Sequence, residues 1–345
     1  MKIVFCLPHL KLSGGVRVIL THARELSSLG HKVTVLANES SRRNLWFKKL
    51  FGAPLTWFNL PAQVRVAYVN AATVHKVITK ISPDVVVADS AGIARWFINS
   101  PFKVVHTIQH DERLYHGIKE QVSQVYGQPF KKVVVSTWIQ EMLKADFNQE
   151  SDLILNSFDR NLFYPVSGAK VNDDKVRVLV LDHPYEWKGT KEAVKMVREL
   201  QIKYPQVVLM GFGAKADQAS KDFDEFYFEP KQEELSHIYS RADIFLCPSW
   251  DEGFGLPSLE AMACGTVLVT YDNGGSRDFA RDDETALVSP RRNEQSLKHN
   301  LERLIVDPEL RHKVAASGLK LAQSWPTWPE QARKLEKVLK SVITD

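Results

Sequence analysis

Pro248-Ser249-Trp250-Asp251-Glu252-Gly253-Phe254-Gly255-Leu256-Pro257-Ser258-Leu259-Glu260-Ala261-Met262-Ala263-Cys264-Gly265 follows directly on the apolar run Ile244-Phe245-Leu246-Cys247. A short buried run, then turn residues, then apolar residues at helical spacing make a strand–loop–helix unit. Pro257 suits the first helical turn and Gly265 the exit. Backbone N–H groups between Leu256 and Leu259, aligned with the helix dipole, would form an anion site. Gly253 and Gly255 let the backbone come close to a ligand.

The same alternation extends in both directions. Downstream of residue 175, strands are predicted at 176–181, 206–210, 243–247 and 266–270, with helices at 190–203, 232–240 and 257–264. Upstream, strand runs are predicted at 2–7, 33–37, 85–88, 103–108 and 132–135. Near-continuous β-branched runs of this kind are strands covered on both faces, as in parallel sheets. After the first run, Ser13-Gly14-Gly15 turns into a helix marked by Val16, Ile19, Leu20, Ala23 and Leu26, and Gly30 suits the position just past its end. Two strand–helix series imply an α/β protein of two doubly wound, Rossmann-like domains. The polar stretch 167–174 reads as the boundary, giving domains 1–166 and 175–325 and a helical tail, 326–345, with apolar spacing at Ala332, Leu335, Val338 and Leu339. Open parallel sheets bind ligands beyond the carboxyl ends of their strands, so chemistry is expected in the loops that follow them.

Composition sets the outer limits. The 345 residues are 44% hydrophobic and 25% charged, a soluble globular balance with enough chain to bury a core unaided. A formal charge of +4 is too mild to call for nucleic acid. No run reaches the ~18 apolar residues of a membrane span, and the first residues enter a strand rather than a signal peptide. Cys6, Cys247 and Cys264 form no C-x-x-C pair and lie in or beside apolar runs, which suits buried thiols in a reducing cytoplasm.

The 248–265 segment, with Val267 to Val288 after it, resembles the retaining GT-B glycosyltransferases of glycosyltransferase family 4, whose E-x7-E signature is met by Glu252 and Glu260. LILNSFDRNLFYP (153–165), SGGVRVI (13–19) and YEWKGTKEAV (185–194) resemble further landmarks of that family, in its order. The resemblance implies a GT-B fold with a cleft between two Rossmann-like domains, the second holding a nucleotide-sugar donor and the first the acceptor side. It also implies a last helix that returns to the first domain.

By that resemblance Glu260 holds the ribose hydroxyls, Glu252 and His110 contact the donor sugar, and Lys188 binds the diphosphate. Gly14, Gly15, Gly253, Phe254, Gly255 and Leu256 complete the donor contacts. His110, Glu252 and Lys188 are the candidate catalytic residues. His110 is chosen from Val105-His106-Thr107-Ile108-Gln109-His110, with Gln109 in its place if the register slips by one, and His106 is read as a core residue. One departure stands out: His183, a further donor-binding candidate that would act protonated or as a neutral donor, occupies the position, five residues before Lys188, where the family usually has arginine. Lys215 or Arg17 are possible substitutes for that cation. Asp222-Phe223-Asp224 has the spelling of a metal-binding DxD but sits in a charged run, and is read as a solvated loop. No metal and no cofactor are expected.

The expected activity is therefore transfer of a sugar, with retention, from a nucleotide-sugar donor to a carbohydrate, lipid-linked or small-molecule acceptor in polysaccharide or glycolipid synthesis. An inverting transferase, a sugar-nucleotide epimerase and a non-catalytic sugar-nucleotide-binding protein stay open. An oxidoreductase is disfavoured because the first loop lacks G-x-G-x-x-G. The basic, aromatic stretch 42–51 is read as packing on its own domain, with peripheral contact to the inner membrane face as the alternative.

Overall fold

The computed structural model describes residues 1–39, 55–115, 118–171, 173–214 and 221–344. The chain divides into two compact units, Met1–Ser157 with Pro326–Asp345, and Phe158–Trp325. The stretch 167–174 is thus no boundary. Ala169 is buried, Lys170 pairs with Asp243 at 3.0 Å, and Asp173 is held by Arg177 at 2.7 Å, so its charges are tied to the second unit.

The first unit contains strands β1 (Lys2–Leu7), β2 (Lys32–Asn38), β3 (Arg65–Val69), β4 (Val85–Asp89), β5 (Val104–Ile108), β6 (Lys131–Val134) and β7 (Asp152–Leu153). They form one sheet in the order β3-β2-β1-β4-β5-β6-β7, every pairing parallel. Its helices are α1 (Gly14–Ser28), α2 (Val74–Ile81), α3 (Ala91–Ala94), α4 (Lys119–Tyr126) and α5 (Thr137–Phe147). Ser13 caps α1 by accepting from Val16 N at 3.3 Å, and Gly30 follows the helix at φ +87°. Every residue of the α1 apolar stripe predicted above is buried.

The last helix, Trp328–Thr344, packs on α1 and completes this unit's core. Leu335, Val338 and Leu339 join Ile3, Phe5, Ile19 and Val87 in one cluster. Each fully buried side chain of this size contributes about 1.5–3 kcal/mol. Gln331 is fully buried, and the His22 ring meets Trp328 edge-on at 5.4 Å. Burial pushes the His22 imidazole down to about 4, so it sits there neutral.

The second unit contains β8 (Val176–Asp182), β9 (Val207–Gly213), β10 (Glu225–Phe228), β11 (Ile244–Cys247), β12 (Val267–Tyr271) and β13 (Leu287–Ser289). They pair parallel in the order β10-β9-β8-β11-β12-β13. Helices α6 (Thr190–Lys203), α7 (Gln232–Arg241), α8 (Leu256–Ala263), α9 (Glu294–Val306) and α10 (Pro308–Ser324) accompany them. Helix α8 stops where Gly265, at φ +80°, donates to Met262 O and Thr266 donates to Ala261 O. That is the paired closure glycine permits at a helix end.

In each sheet the chain starts in the middle, runs outward one way, and returns to fill the other side. The reversal lies between β1 and β4 in the first sheet and between β8 and β11 in the second. Such switch points open a crevice at the carboxyl ends of the strands.

Candidate active site

Two loops leave the switch point of the second sheet: 183–189 after β8 and 248–255 after β11. They are fastened together, with Trp250 N donating to Trp187 O at 2.8 Å. Gly189 adopts φ +69°, and a Cβ there would lie 2.5 Å from Pro248 O, so only glycine allows this approach. A third loop, after β12, supports the second. Glu252 N donates to Asn273 O at 2.9 Å, and Asn273, itself buried, donates to Thr270 Oγ1 and accepts from Ser276 N. A Cβ at Gly275 would stand 2.6 Å from Phe254 N, which shows how closely the two backbones run.

This scaffolding brings together two side chains 64 residues apart in sequence. Lys188 Nζ stands 2.6 Å from Glu252 Oε1, with the side chains 22% and 13% exposed. They line a recess with Cys247, Ser249, Gly255 and Ser258. The recess therefore holds a cation, a carboxylate and the start of α8.

The start of α8 is more occupied than its sequence implies. Pro257 has no N–H, and Ser258 N and Leu259 N both donate to Gly255 O, at 3.1 and 3.3 Å. The run from Leu256 to Leu259 therefore offers fewer free donors than expected, and more of any anion's stabilisation falls to Lys188. Ser258 adds a feature the sequence reading missed. Its residue is 1% exposed and its Oγ has no hydrogen-bond partner. A buried hydroxyl without a partner costs stability. Ser258→Ala is thus expected to leave the melting temperature unchanged or raise it by a few degrees, as read by thermal denaturation.

Glu260 lies in the second turn of α8, 5% exposed, with Tyr239 Oη 3.4 Å from its Oε2. His183 sits just past β8, where its backbone N donates to Thr190 Oγ1 and its Nδ1 accepts from Tyr185 N at 3.3 Å. Its ring lies 4.7 Å from Tyr185, which stacks on Trp187. With Nδ1 accepting from Tyr185 N, it is through Nε2 that the ring would meet a ligand. Gly253, Phe254 and Leu256 belong to the same loop, with Phe254 buried against Phe279 and Trp325. Asp222 and Asp224 are not a solvated loop throughout. Asp224 accepts from Leu209 N at 2.8 Å and pairs with Arg198, and Phe223 is buried, so this stretch seats edge strand β10. Among the described residues no three His, Cys, Asp or Glu side chains gather as a metal-ligand set.

In the first unit, Gly14 and Gly15 begin α1 at the switch point beside β4. The structure joins Gln109, the alternative to His110, to this loop: Gln109 Nε2 donates to Gly15 O at 3.0 Å and to Asp89 Oδ1 at 2.8 Å. His110 is half-buried, and its carbonyl accepts from Tyr126 Oη at 3.2 Å. His106 is fully buried, with burial and nearby Lys132 pushing it down to about 3. Asp111 is engaged by Arg113 through two bonds of 2.8 Å.

Asp89 and Glu112 are residues the sequence reading passed over. Both are buried, and Glu112 Oε1 accepts from Ala91 N at 2.7 Å at the start of α3. Burial first, and for Asp89 also the neighbouring Glu112 charge, lifts each to about 7. An unfolded carboxyl titrates near its ordinary value of about 4. Between the two values the folded state holds extra protons, so this pair's stabilisation is full near pH 4 and is lost as pH rises towards 7. Asp89→Asn with Glu112→Gln is expected to flatten that slope by an amount on the order of 2 kcal/mol across the window, read from denaturant melts at pH 5 and pH 7.5.

Residues 42–51 and Lys215 lie outside the described residues. Among the described residues no helix is long and apolar enough to cross a membrane. The three cysteines are buried and unpaired, and burial pushes the Cys264 thiol up to about 12.

The chain is similar to known proteins in sequence and in fold. Residues 12–161 match the family model described as Glycosyltransferase Family 4, and residues 167–320 match the one described as Glycosyl transferases group 1. Among curated relatives, the chain is 24% identical over 232 residues to the N,N'-diacetylbacillosaminyl-diphospho-undecaprenol alpha-1,3-N-acetylgalactosaminyltransferase of Campylobacter jejuni, a match covering 66% of this chain and 60% of that one. The chain spans at most 60% of the length of the first curated relatives it matches. Among solved structures, sucrose-phosphate synthase from Thermosynechococcus elongatus aligns over 100% of both chains with a TM-score of 0.83 at 17% identity. HepE of Anabaena, solved with UDP and glucose, aligns over 99% of this chain and 100% of that one, with a TM-score of 0.79 at 15% identity. Both have the fold of two parallel-sheet units found here. With one family model on each unit and this fold throughout, the chain belongs to the family 4 glycosyltransferases of GT-B architecture.

Proposed function

We propose that this protein transfers a sugar from a nucleotide-sugar donor to an acceptor hydroxyl, with retention at the anomeric carbon. The observation that carries the reading is the Lys188–Glu252 pair, 2.6 Å apart in a recess at the β8/β11 switch point beside the start of α8. Breaking the anomeric carbon–oxygen bond leaves negative charge on the departing diphosphate, and a fixed cation in a water-poor recess stabilises that charge. Lys188 supplies it. Glu252 accepts hydroxyls of the donor sugar, Glu260 those of the ribose, and the backbone of Gly253 to Leu256 lies along the phosphates. The first unit, with Gly14, Gly15, Gln109 and His110, serves the sugar and its acceptor.

HepE, solved with UDP and glucose, supports a nucleoside diphosphate donor. The name of the Campylobacter relative supports a lipid-linked or carbohydrate acceptor and a role in glycoconjugate assembly. Buried free thiols suit the cytoplasm. Because Lys188 answers the leaving-group charge, turnover is expected to be unchanged by EDTA.

A thermal-shift panel of nucleoside diphosphates and their sugars tests the reading, since stabilisation tracks affinity. Stabilisation by one donor series, lost in Lys188→Ala, is the expected result. Equal response of wild type and variant would remove the donor site from this recess. NMR of the product anomer then decides retention. His183 in place of the usual arginine favours one further reading, binding without turnover. Absence of nucleoside diphosphate release in any donor–acceptor mixture would establish it.

A further inference from the structure

We infer that the Lys188–Glu252 pair makes the recess discriminate between a nucleotide sugar and a bare nucleoside diphosphate, so that product leaves once the sugar is gone. The inference rests on the donor-site reading above and adds an exchange of partners to it. Lys188 has a counter-ion within the chain, Glu252 Oε1 at 2.6 Å, and both side chains are mostly buried. The backbone that carries the carboxylate cannot move far. Glu252 N is held by Asn273 O, and the loop around it is pinned by Trp250 to Trp187 and by the close pass of Gly275.

A diphosphate entering beside Lys188 therefore brings negative charge up to a carboxylate on a pinned loop, and must share or take that carboxylate's cation. A donor that also carries a sugar offers hydroxyls in return. Glu252 then accepts hydrogen bonds from the sugar, which replace the one it accepted from Lys188, and the ammonium turns to the phosphates. A bare diphosphate supplies no such replacement. It leaves Glu252 competing for Lys188, and its affinity falls. The same two residues thus favour the loaded donor on entry and expel the spent diphosphate after transfer.

Inorganic pyrophosphate, the group shared by all such donors, is a base-independent probe. Calorimetric titration should show Glu252→Gln, an isosteric change, binding pyrophosphate about tenfold more tightly than wild type, as for loss of one close charge interaction. The gain should shrink when Lys188→Ala is also present, because the cycle isolates the coupling between the two residues. The nucleotide sugar selected by the panel should bind Glu252→Gln more weakly than wild type. No tightening for pyrophosphate, or tightening just as large without Lys188, overturns the exchange. Those outcomes leave the donor site itself standing, which fails only if Lys188→Ala keeps the wild-type response to nucleotide sugars. Matching circular dichroism and melting temperatures confirm that Glu252→Gln is folded.

Discussion

Lys188→Ala is expected to lower kcat/KM for sugar transfer about a hundred- to a thousandfold, the usual effect of removing one preorganised donor to a developing anion. The expectation is at the high end because little else in the recess can compensate. Pro257 lacks an N–H, and the next two amides of α8 are turned to Gly255 O. His183 is engaged at Nδ1 by Tyr185 N. The variant also leaves Glu252 mostly buried without its cation, which should cost about 1–3 kcal/mol of stability. Kinetics should therefore be read below the variant's own melting temperature. Lys188→Arg keeps the charge but changes its shape and hydrogen-bonding geometry, so an intermediate loss is expected. A kcat/KM within threefold of wild type for Lys188→Ala would mean that the leaving-group charge is met elsewhere.

The second large effect is expected at a residue without a side chain, the neighbour of Lys188. Gly189→Ala should destabilise the second unit by about 2–4 kcal/mol, combining a left-handed backbone cost with overpacking. The added Cβ would stand 2.5 Å from Pro248 O, a backbone atom with no side-chain freedom to yield. The loop carrying Lys188 would have to move away from the loop carrying Glu252, so activity should fall with stability. Gly168→Ala separates the two costs. Gly168 has φ +76°, and a Cβ there would meet nothing within 4 Å, so only the backbone cost of about 1–2 kcal/mol is expected. Urea melts followed by tryptophan fluorescence compare them. Equal losses in the two variants would show that the Gly189 contact relaxes freely.

The central strands were legible because their runs are apolar on both faces. Lys2–Leu7 and Val176–Asp182 lie within one residue of the predicted 2–7 and 176–181. The outer strands were not. Arg65–Val69 and Glu225–Phe228 lie at sheet edges with partly exposed, mixed side chains, and Leu287–Ser289 is three residues long. Their strand character comes from a neighbour's backbone, which a local pattern does not carry. The boundary between the units was misplaced for a similar reason. Residues 167–174 are polar as a linker is, yet Asp173 and Lys170 find partners at Arg177 and Asp243.

In the site, Glu252, Lys188 and the glycines could be named from motif and position. That Lys188 touches Glu252, or that Gln109 reaches Gly15, depends on loops leaving adjacent strands at a switch point. Asp89 and Glu112 carried no motif at all; what marks them is burial, which exists only once the sheet is formed.

The first unit is assembled from two separate lengths of chain, Met1–Ser157 and Pro326–Asp345, with all of Phe158–Trp325 spelled out between them. During synthesis this reverses the customary order. The second unit has its full sequence synthesised while the first still lacks Leu335, Val338 and Leu339. Until the final helix emerges, Ile19, Leu20 and their neighbours on α1 present an open apolar face, a target for chaperones rather than a finished core. A chain truncated after residue 325 would therefore display a protease-resistant later unit behind an earlier one that is still waiting to close.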